Sequence, residues 1–191
     1  MSKNNVYTVL GASNHVKEER QEVDFYATHP IAAKLLCEVE SFNTVLEPAA
    51  GAGHLSKELK KYIDFVHSSD LMDHGYGETG IDFLTYYERW NGDIVTNPPY
   101  KEAEKFIRHA LDIIPNGRKV AMFLKVQFLE GKARKKLFEE YPFKTMYVSS
   151  SRIMCAKNGD FDGLKSSSAI AYAWYVWEKG FKNDPVIKWI N

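Results

Sequence analysis

The stretch Asn43-Thr-Val-Leu-Glu-Pro-Ala-Ala-Gly-Ala-Gly-His-Leu-Ser56 joins a short apolar strand to a helix through a tight turn of small residues. Helical spacing of apolar residues follows over 55–62. Glycine adopts left-handed backbone angles without strain and lets a ligand approach the main chain, so Gly51 and Gly53 predict a ligand-binding turn. A strand, a glycine turn and a helix in this order are typical of a Rossmann-type α/β sheet.

Two residues of this stretch favour a cationic ligand over a dinucleotide. A dinucleotide-binding turn carries a third glycine at the place that Ser56 takes here. Glu47 comes just before the turn, where its charge would repel a pyrophosphate. The same charge suits the α-ammonium and sulfonium groups of S-adenosylmethionine. Glu47 therefore predicts S-adenosylmethionine as the cofactor, and a NAD-dependent oxidoreductase is the alternative.

An acidic residue ends the next predicted strand. The segment Phe65-Val-His-Ser-Ser-Asp70 indicates a short strand, and Asp70 falls about twenty residues after the glycine turn. In a βαβ unit, a carboxylate at this separation accepts hydrogen bonds from ribose hydroxyl groups. Asp70 is therefore a candidate ligand of the cofactor's ribose.

A second turn ends another buried strand at a polar corner. In Asp93-Ile-Val-Thr-Asn-Pro-Pro-Tyr100 the strand has to stop, because neither proline can donate to a sheet ladder. Ligands of open α/β sheets bind at this carboxyl edge. The Asn97 side-chain oxygen and the Pro98 carbonyl can accept the two hydrogens of a planar amino group, which frees the nitrogen lone pair for attack. Tyr100 offers a ring on which a base can stack.

The run Asn97-Pro-Pro-Tyr100 after a hydrophobic strand resembles the catalytic motif of S-adenosylmethionine-dependent amino methyltransferases. The most similar of these are the adenine-N6 DNA methyltransferases of phages and prophages. The run Glu47-Pro-Ala-Ala-Gly-Ala-Gly53 is similar to their first motif, and the resemblance extends over 24–178. It implies a Rossmann-like class I methyltransferase fold, with a mostly parallel seven-stranded sheet, helices on both faces and a C-terminal antiparallel strand.

The segment before the glycine turn also matches this family. Tyr26-Ala-Thr-His-Pro30 resembles the motif that precedes the cofactor loop in one permuted class of these enzymes. The resemblance implies that Tyr26 and Thr28 contact the methionine end of the cofactor. Thr28 is otherwise a reasonable N-cap for a helix over 31–40.

A further segment resembles the family's next motif, Gly80-Ile-Asp-Phe-Leu84. The resemblance implies that Asp82 takes the amino group of the cofactor's adenine and that Phe83 lies against the adenine ring. The complete implied site has catalytic residues Asn97, Pro98, Pro99 and Tyr100, and cofactor-binding residues Tyr26, Thr28, Glu47, Ala49, Gly51, Gly53, Asp70, Asp82, Phe83 and Asn97. We expect no metal, because Cys37 and Cys155 lack metal-ligand spacing.

Composition limits the architecture and the compartment. The chain has 191 residues, of which 45% are hydrophobic and 14% aromatic, and this fits one domain. Residues 1–22 are mostly polar and charged, which predicts an N-terminal arm that is flexible or loosely docked, or alternatively a lid over the site. The single domain, which the resemblance implies is catalytic, then spans 23–191. No apolar run reaches the length of a membrane span and no signal peptide is evident, so we expect a cytoplasmic protein. The remaining elements are predicted as helices over 101–114 and from 132, and strands over 119–129, 144–149 and 168–178.

The implied partner is DNA, with adenine N6 as the methyl acceptor. Net charge is zero, which argues against a protein that coats nucleic acid but leaves room for a local basic face. The residues after the strand over 168–178 are too few for a separate target-recognition domain. Either the loop over 150–167 recognises a short base sequence around the adenine, or the DNA is bound with little sequence selectivity. In both cases the adenine is flipped out of a duplex or taken from a single strand. The basic run over 132–136 is either a solvated helix face or a phosphate contact.

Other acceptors share the same chemistry. The corner at Asn97 suits an RNA adenine and a protein glutamine amide as well, although glutamine methyltransferases usually have a helical domain ahead of this core. A module that binds S-adenosylmethionine or nucleic acid without turnover is a further alternative. The sequence carries no signal for an oligomeric state.

Overall fold

The computed structural model describes residues 26–157, 159, 161 and 170–191. The expected polar arm over 1–22 lies outside the described residues, as does most of the expected loop over 150–167 beyond residue 157. Within the described residues, no helix has the length and apolar character needed to cross a bilayer.

The chain alternates strands and helices. The strands are β1 (Tyr26–Thr28), β2 (Thr44–Glu47), β3 (Phe65–Asp70), β4 (Glu78–Thr79), β5 (Asp93–Thr96), β6 (Lys119–Lys125), β7 (Thr145–Ser149), β8 (Cys155–Lys157), β9 (Tyr172–Glu178) and β10 (Val186–Ile190). The helices are α1 (Ile31–Val39), α2 (His54–Leu59), α3 (Phe83–Tyr86), α4 (Ala103–Ile113) and α5 (Lys132–Glu140).

The main sheet confirms the predicted fold class. Its strand order is β10-β7-β9-β6-β5-β2-β3-β4, and β2 to β6 pair in parallel. Strand β9 is antiparallel to both β6 and β7. The sheet has eight strands instead of the expected seven, because β10 follows β9 and pairs in parallel with β7. The segment expected to follow the last strand therefore supplies an edge strand.

Helices cover both faces of this sheet. On one face, α1 and α2 pack on Val45 and Val95. On the other face, α4 packs on Leu46 and Ile94. Successive residues of a strand point to opposite faces, so the neighbours Val45 and Leu46 belong to different cores. Strands that are buried on both faces have to be apolar throughout, and this explains the short hydrophobic runs in β2 and β5.

The start of α1 differs from the prediction. Thr28 is not its N-cap, because β1 pairs with β8 in an antiparallel ribbon that places Thr28 opposite Cys155. Pro30 takes the N-cap position without a side-chain cap, and the backbone N–H of Ile31 donates to His29 Nδ1 at 3.2 Å. Long-range strand pairing thus overrides the local capping signal.

Candidate active site

The glycine turn and the diproline corner lie side by side at the carboxyl edge of the sheet. Strands β2 and β5 are neighbours in parallel register, with Leu46 opposite Ile94, so the segments after both strands leave the sheet at the same edge. A pocket forms there between these segments and β1. It is lined by Tyr26, Ala27, Thr28, Glu47, Ala49, Ala50, His54, Leu55 and Asn97. Five of the predicted site residues are among them.

The backbone of the glycine turn requires its glycines. Gly51 has φ 52° and Gly53 has φ 78°, both in the left-handed region. A Cβ added at Gly53 would lie 2.4 Å from Cδ1 of Tyr76, whose ring packs directly against the turn. Side chains are therefore excluded at Gly53 by both backbone strain and lack of space.

Asp70 holds the same turn from the neighbouring strand. Its Oδ2 accepts a hydrogen bond from the backbone N–H of Gly51 at 2.8 Å, and its Oδ1 accepts one from Met72 at 2.9 Å. The predicted ribose ligand thus lies beside the glycine turn, at the end of β3.

Glu47 is a buried acid at the pocket. Its side chain is 1% exposed and accepts a hydrogen bond from Ser56 Oγ, which in turn lies 2.6 Å from Ser68 Oγ. Burial raises the pKa of Glu47 to about 8, against the opposing effect of the Ser56 hydrogen bond. At neutral pH the carboxyl is mostly protonated, and a cationic group beside it would stabilise the ionised form.

Ser56 is a hydrogen-bond donor to Glu47 as well as a departure from the dinucleotide-binding pattern. The sequence showed it only as the residue that breaks the dinucleotide pattern. In the structure its hydroxyl is the hydrogen-bond partner of Glu47. Ser68, on β3, completes this buried chain of polar groups, and no local signal in the sequence identifies it.

A hydrogen bond from its nitrogen fixes the orientation of the Asn97 side-chain amide. Nδ2 donates to the main-chain carbonyl of Tyr26 at 3.2 Å and lies 3.9 Å from Cys155 Sγ. Oδ1 is buried, and none of the described residues donates to it. Exchanging the two amide atoms would set oxygen against the Tyr26 carbonyl, so Oδ1 has to be the unpaired atom. An unpaired buried acceptor costs roughly 1–3 kcal/mol, which is expected where a ligand completes the bond.

The rest of the corner differs in exposure. Pro98 is buried and Pro99 is exposed. No backbone N–H of the described residues donates to the Pro98 carbonyl outside the regular elements, while the Pro99 carbonyl accepts from Glu102. The corner thus offers two acceptors, Asn97 Oδ1 and the Pro98 carbonyl, for which the described residues supply no donor in these contacts.

Tyr100 already has neighbours around its ring. Its hydroxyl is 3.7 Å from Cys155 Sγ, and its ring centroid is 5.9 Å from that of Tyr172. Lys125 Nζ lies over the ring at 4.9 Å from the centroid. Burial raises the pKa of the Tyr100 hydroxyl far above its ordinary value, so this residue stays neutral. A base can stack on the Tyr100 ring only beside these neighbouring groups or after one of them has moved away from the ring.

The β1–β8 ribbon supports the corner from outside the main sheet. Tyr26 supplies the carbonyl that holds Asn97, and its own side chain is 42% exposed. Thr28 is buried, and its Oγ1 makes no hydrogen bond to the described residues. Cys155, which the sequence showed only as a free thiol, contacts both Asn97 and Tyr100.

Asp82 and Phe83 lie outside this pocket. The Asp82 side chain caps α3 by accepting from the backbone N–H of Leu84 at 3.0 Å. Phe83 is 2% exposed, and its ring centroid is 4.9 Å from those of both Phe106 and His109. The Phe83 ring thus packs between α3 and α4, and its contact with the adenine ring of the cofactor stays a prediction.

Two imidazoles and a loop phenyl ring lie close to the pocket. His54 lines it. The ring centroid of Phe161 lies 4.9 Å from that of His29 and 5.4 Å from that of His54. Burial lowers the pKa of His54. The described part of the loop over 150–167 therefore approaches the glycine turn.

Two of the four basic residues over 132–136 make contacts within the protein. Arg134 pairs with Glu104 of α4 at 2.7 Å and lies over the Phe128 ring at 4.0 Å. Lys135 pairs with Glu139 within the helix at 3.5 Å. Arg134 and Lys135 thus have carboxylate partners within the protein.

Comparisons with known proteins were made by sequence and by structure. No family model matches this chain, and no curated protein matches it. The type I restriction-modification methyltransferase subunit from Streptococcus thermophilus is similar in structure, with a TM-score of 0.63, 16% identity, 88% of this chain covered and 48% of that one. The type I restriction enzyme EcoKI M protein matches with a TM-score of 0.59 and 13% identity, over 85% of this chain and 45% of that one.

A third neighbour is described by its methyltransferase class. It is a protein from Listeria monocytogenes described as a class I S-adenosylmethionine-dependent methyltransferase, with a TM-score of 0.55, 14% identity, 83% of this chain covered and 62% of that one. The chain spans about half the length of the two restriction-system subunits. The mostly parallel sheet of this chain, covered on both faces and with β9 antiparallel to its neighbours, is the fold of class I S-adenosylmethionine-dependent methyltransferases.

Proposed function

We propose that this protein transfers a methyl group from S-adenosylmethionine to the exocyclic N6 amino group of adenine in DNA. The observation that carries the proposal is the orientation of Asn97. Its Nδ2 is held by the Tyr26 carbonyl, so Oδ1 remains at the pocket as a buried acceptor to which no described residue donates. An acceptor of this kind is what activation of a planar amino group requires.

The residues of the pocket fit the cofactor. Glu47 can become the counter-ion of its α-ammonium group, and the Gly51–Gly53 turn lets it approach the backbone. Thr28 Oγ1 is a buried hydroxyl without a hydrogen-bond partner among the described residues, which suits a polar ligand at the same pocket. In this proposal Asp70, whose Oδ2 accepts from the Gly51 N–H, also accepts from ribose hydroxyls. When bound, S-adenosylmethionine supplies an electrophilic methyl group.

The diproline corner prepares the nucleophile. Asn97 Oδ1 and the Pro98 carbonyl each accept one hydrogen of the amino group, which draws the nitrogen out of conjugation with the ring. Tyr100 supports the base by stacking. The rate enhancement comes from orientation and from dipoles that are already in place. The methylated nitrogen is acidic enough to lose its proton to water, so no general base is needed.

Adenine in a strand has to leave its stack to reach this corner. Flipping a base costs roughly a few kcal/mol, and least in single-stranded DNA. We therefore expect single-stranded DNA to be methylated at least as fast as duplex DNA of the same sequence. RNA adenine and a glutamine amide present the same planar NH₂ group, and they serve as competing acceptors in the test.

The test incubates the full chain with isotopically labelled S-adenosylmethionine and matched acceptors. These are single-stranded DNA, duplex DNA, RNA of the same sequence and a glutamine-containing peptide. The expected product is N6-methyladenine in DNA, identified by mass spectrometry of nucleosides. Transfer only to RNA or only to peptide would reassign the acceptor, and cofactor binding without any transfer would overturn the proposed activity.

Substitution of Asn97 adds a residue-specific test. Asn97→Ala should abolish turnover while cofactor affinity stays within a few fold. Asn116→Ala is the matched control, because Asn116 is an exposed asparagine in the turn after α4 and lies away from the pocket. Substantial turnover by the Asn97→Ala variant would show that Asn97 does not activate the amino group.

A further inference from the structure

Lys125 projects from β6 beside the diproline corner. Thr96, the last residue of β5, pairs with Met122, and β6 then continues to Lys125. This extension runs past the end of β5, next to the segment that begins with Asn97. The Lys125 ammonium consequently lies over the Tyr100 ring, at 4.9 Å from its centroid.

This ammonium has no carboxylate partner among the described residues. Its side chain is half-buried, and every ion pair within that part of the chain involves other cations. Two acids at the start of α4 have other cationic partners, Glu102 with Lys105 and Glu104 with Arg134. A half-buried cation loses part of its hydration, and an aromatic face compensates only part of that loss.

We infer that Lys125 binds the phosphodiester that flanks the target adenine. The inference rests on the proposed function, since it places a nucleic acid strand at the same corner. When a base stacks on Tyr100, the ammonium moves off the ring face and pairs with the strand's phosphate. One cation–π contact is exchanged for one charge-assisted hydrogen bond, which is the stronger interaction.

A single local contact also suits the charge of the whole protein. The formal net charge is zero, so no strong overall field draws a polyanion to the surface. Phosphate contacts fix the position of a strand without reading its bases. A cation at Lys125 would therefore place any adenine-containing strand at the corner and would give no advantage to a neutral glutamine amide.

The experiment combines a protein change with a chemical change in the substrate. A single-stranded oligonucleotide with one adenine is prepared with normal phosphodiesters, or with uncharged methylphosphonates on both sides of the adenine. Binding is followed by fluorescence anisotropy over a series of salt concentrations, and methyl transfer is measured on the same strands.

The expected pattern is a loss that depends on phosphate charge. Lys125→Ala should weaken binding of the normal strand about tenfold and reduce the slope of log affinity against log salt by about one. On the methylphosphonate strand, Lys125→Ala and the unchanged protein should bind equally. Lys125→Arg, which keeps the charge, should retain most of the affinity.

Matched controls make each outcome decisive. Lys182→Ala removes an exposed lysine that follows β9, at the opposite edge of the sheet, and should change nothing. Cofactor-induced thermal stabilisation should be the same in all variants and so reports intact folding. Equal losses on both strands, or no binding of the normal strand by the unchanged protein, would overturn the inference. Phosphate-dependent binding at Lys125 without any methyl transfer would contradict the proposed function instead.

Discussion

The side-chain amide of Asn97 donates to the main-chain carbonyl of Tyr26 across 3.2 Å, which ties the diproline corner to the first strand of the chain. This bond decides which atom of the amide is left unpaired. The geometry of the proposed catalytic corner at the end of β5 therefore depends on the small β1–β8 ribbon as well as on the main sheet.

Asn97→Asp tests this relationship. An aspartate cannot donate to the Tyr26 carbonyl, and its second oxygen would face that carbonyl at close range. We expect methyl transfer to fall roughly 10²–10³-fold, as for the loss of one oriented polar group in other active sites. Single-turnover kinetics with saturating cofactor measure the effect. A variant with near-normal turnover would show that the Tyr26 contact does not orient the amide.

Cofactor binding should release a proton from Glu47. The pKa of this carboxyl is about 8 in the free protein, so at pH 7 it is mostly protonated, and a cationic ligand favours its ionised form. Calorimetry in buffers of different ionisation enthalpy should show release of close to one proton at pH 7, and none for Glu47→Gln. Affinity should rise between pH 6 and pH 7.5. Absence of proton release would mean that Glu47 is not the counter-ion.

The same carboxyl predicts how stability changes with pH. Its folded-state pKa is raised from 4.5 to about 8, so its contribution is fully present below pH 4.5 and is lost as the pH rises through 8. Without cofactor, Glu47→Gln should therefore gain stability relative to the unchanged protein as the pH rises from 4.5 to about 8, and the difference should level off above that pH. Thermal unfolding across this pH range measures the difference. A constant difference would contradict a titrating Glu47.

Ser56→Ala should act on the cofactor through Glu47. The Ser56 hydroxyl lowers the pKa of Glu47 by donating to it, so its loss should raise that pKa above 8. Affinity for cofactor at pH 7 should fall, and the rise of affinity with pH should move to higher pH. Ser149→Ala is the control, because Ser149 Oγ is a buried hydroxyl without a partner among the described residues. If Ser56→Ala and the unchanged protein bind the cofactor equally at every pH, Ser56 does not act on cofactor binding.

Gly53 and Gly75 form a matched pair for backbone strain. Their φ angles are 78° and 76°, but an added Cβ meets the Tyr76 ring at Gly53 and nothing within 4 Å at Gly75. Gly75→Ala should cost about 1–2 kcal/mol through its backbone angle alone. Gly53→Ala should cost more and should also weaken cofactor binding. Denaturant unfolding measures the free energy of unfolding, and calorimetry measures cofactor affinity. Equal losses of stability in the two variants would show that the Tyr76 ring moves aside without cost.

Local signals in the sequence were sufficient for the framework of the site. Glycines mark the turn after β2 because only they adopt its backbone angles, and prolines mark the end of β5 because they cannot pair. The parallel order of strands and helices follows from the alternation of these signals. Asn97, Glu47 and Asp70 could be placed at one edge of a sheet on this basis.

Contacts between distant segments were beyond the reach of such signals. Thr28 carries a capping signal, yet pairing with Cys155 takes it into β1. The packing of the Phe83 ring against Phe106 of α4 is likewise a contact that no local pattern predicts. Both contacts join residues that are far apart in the chain.

By itself, then, the sequence determined the α/β framework and the chemistry of the corner, since backbone angles, strand ends and charge type are properties of neighbouring residues. Only the tertiary structure decided which amide atom of Asn97 is unpaired, that Ser56 serves Glu47, and that Lys125 lies over Tyr100. Those relationships join separate elements, and their geometry exists only once the sheet has brought the elements together.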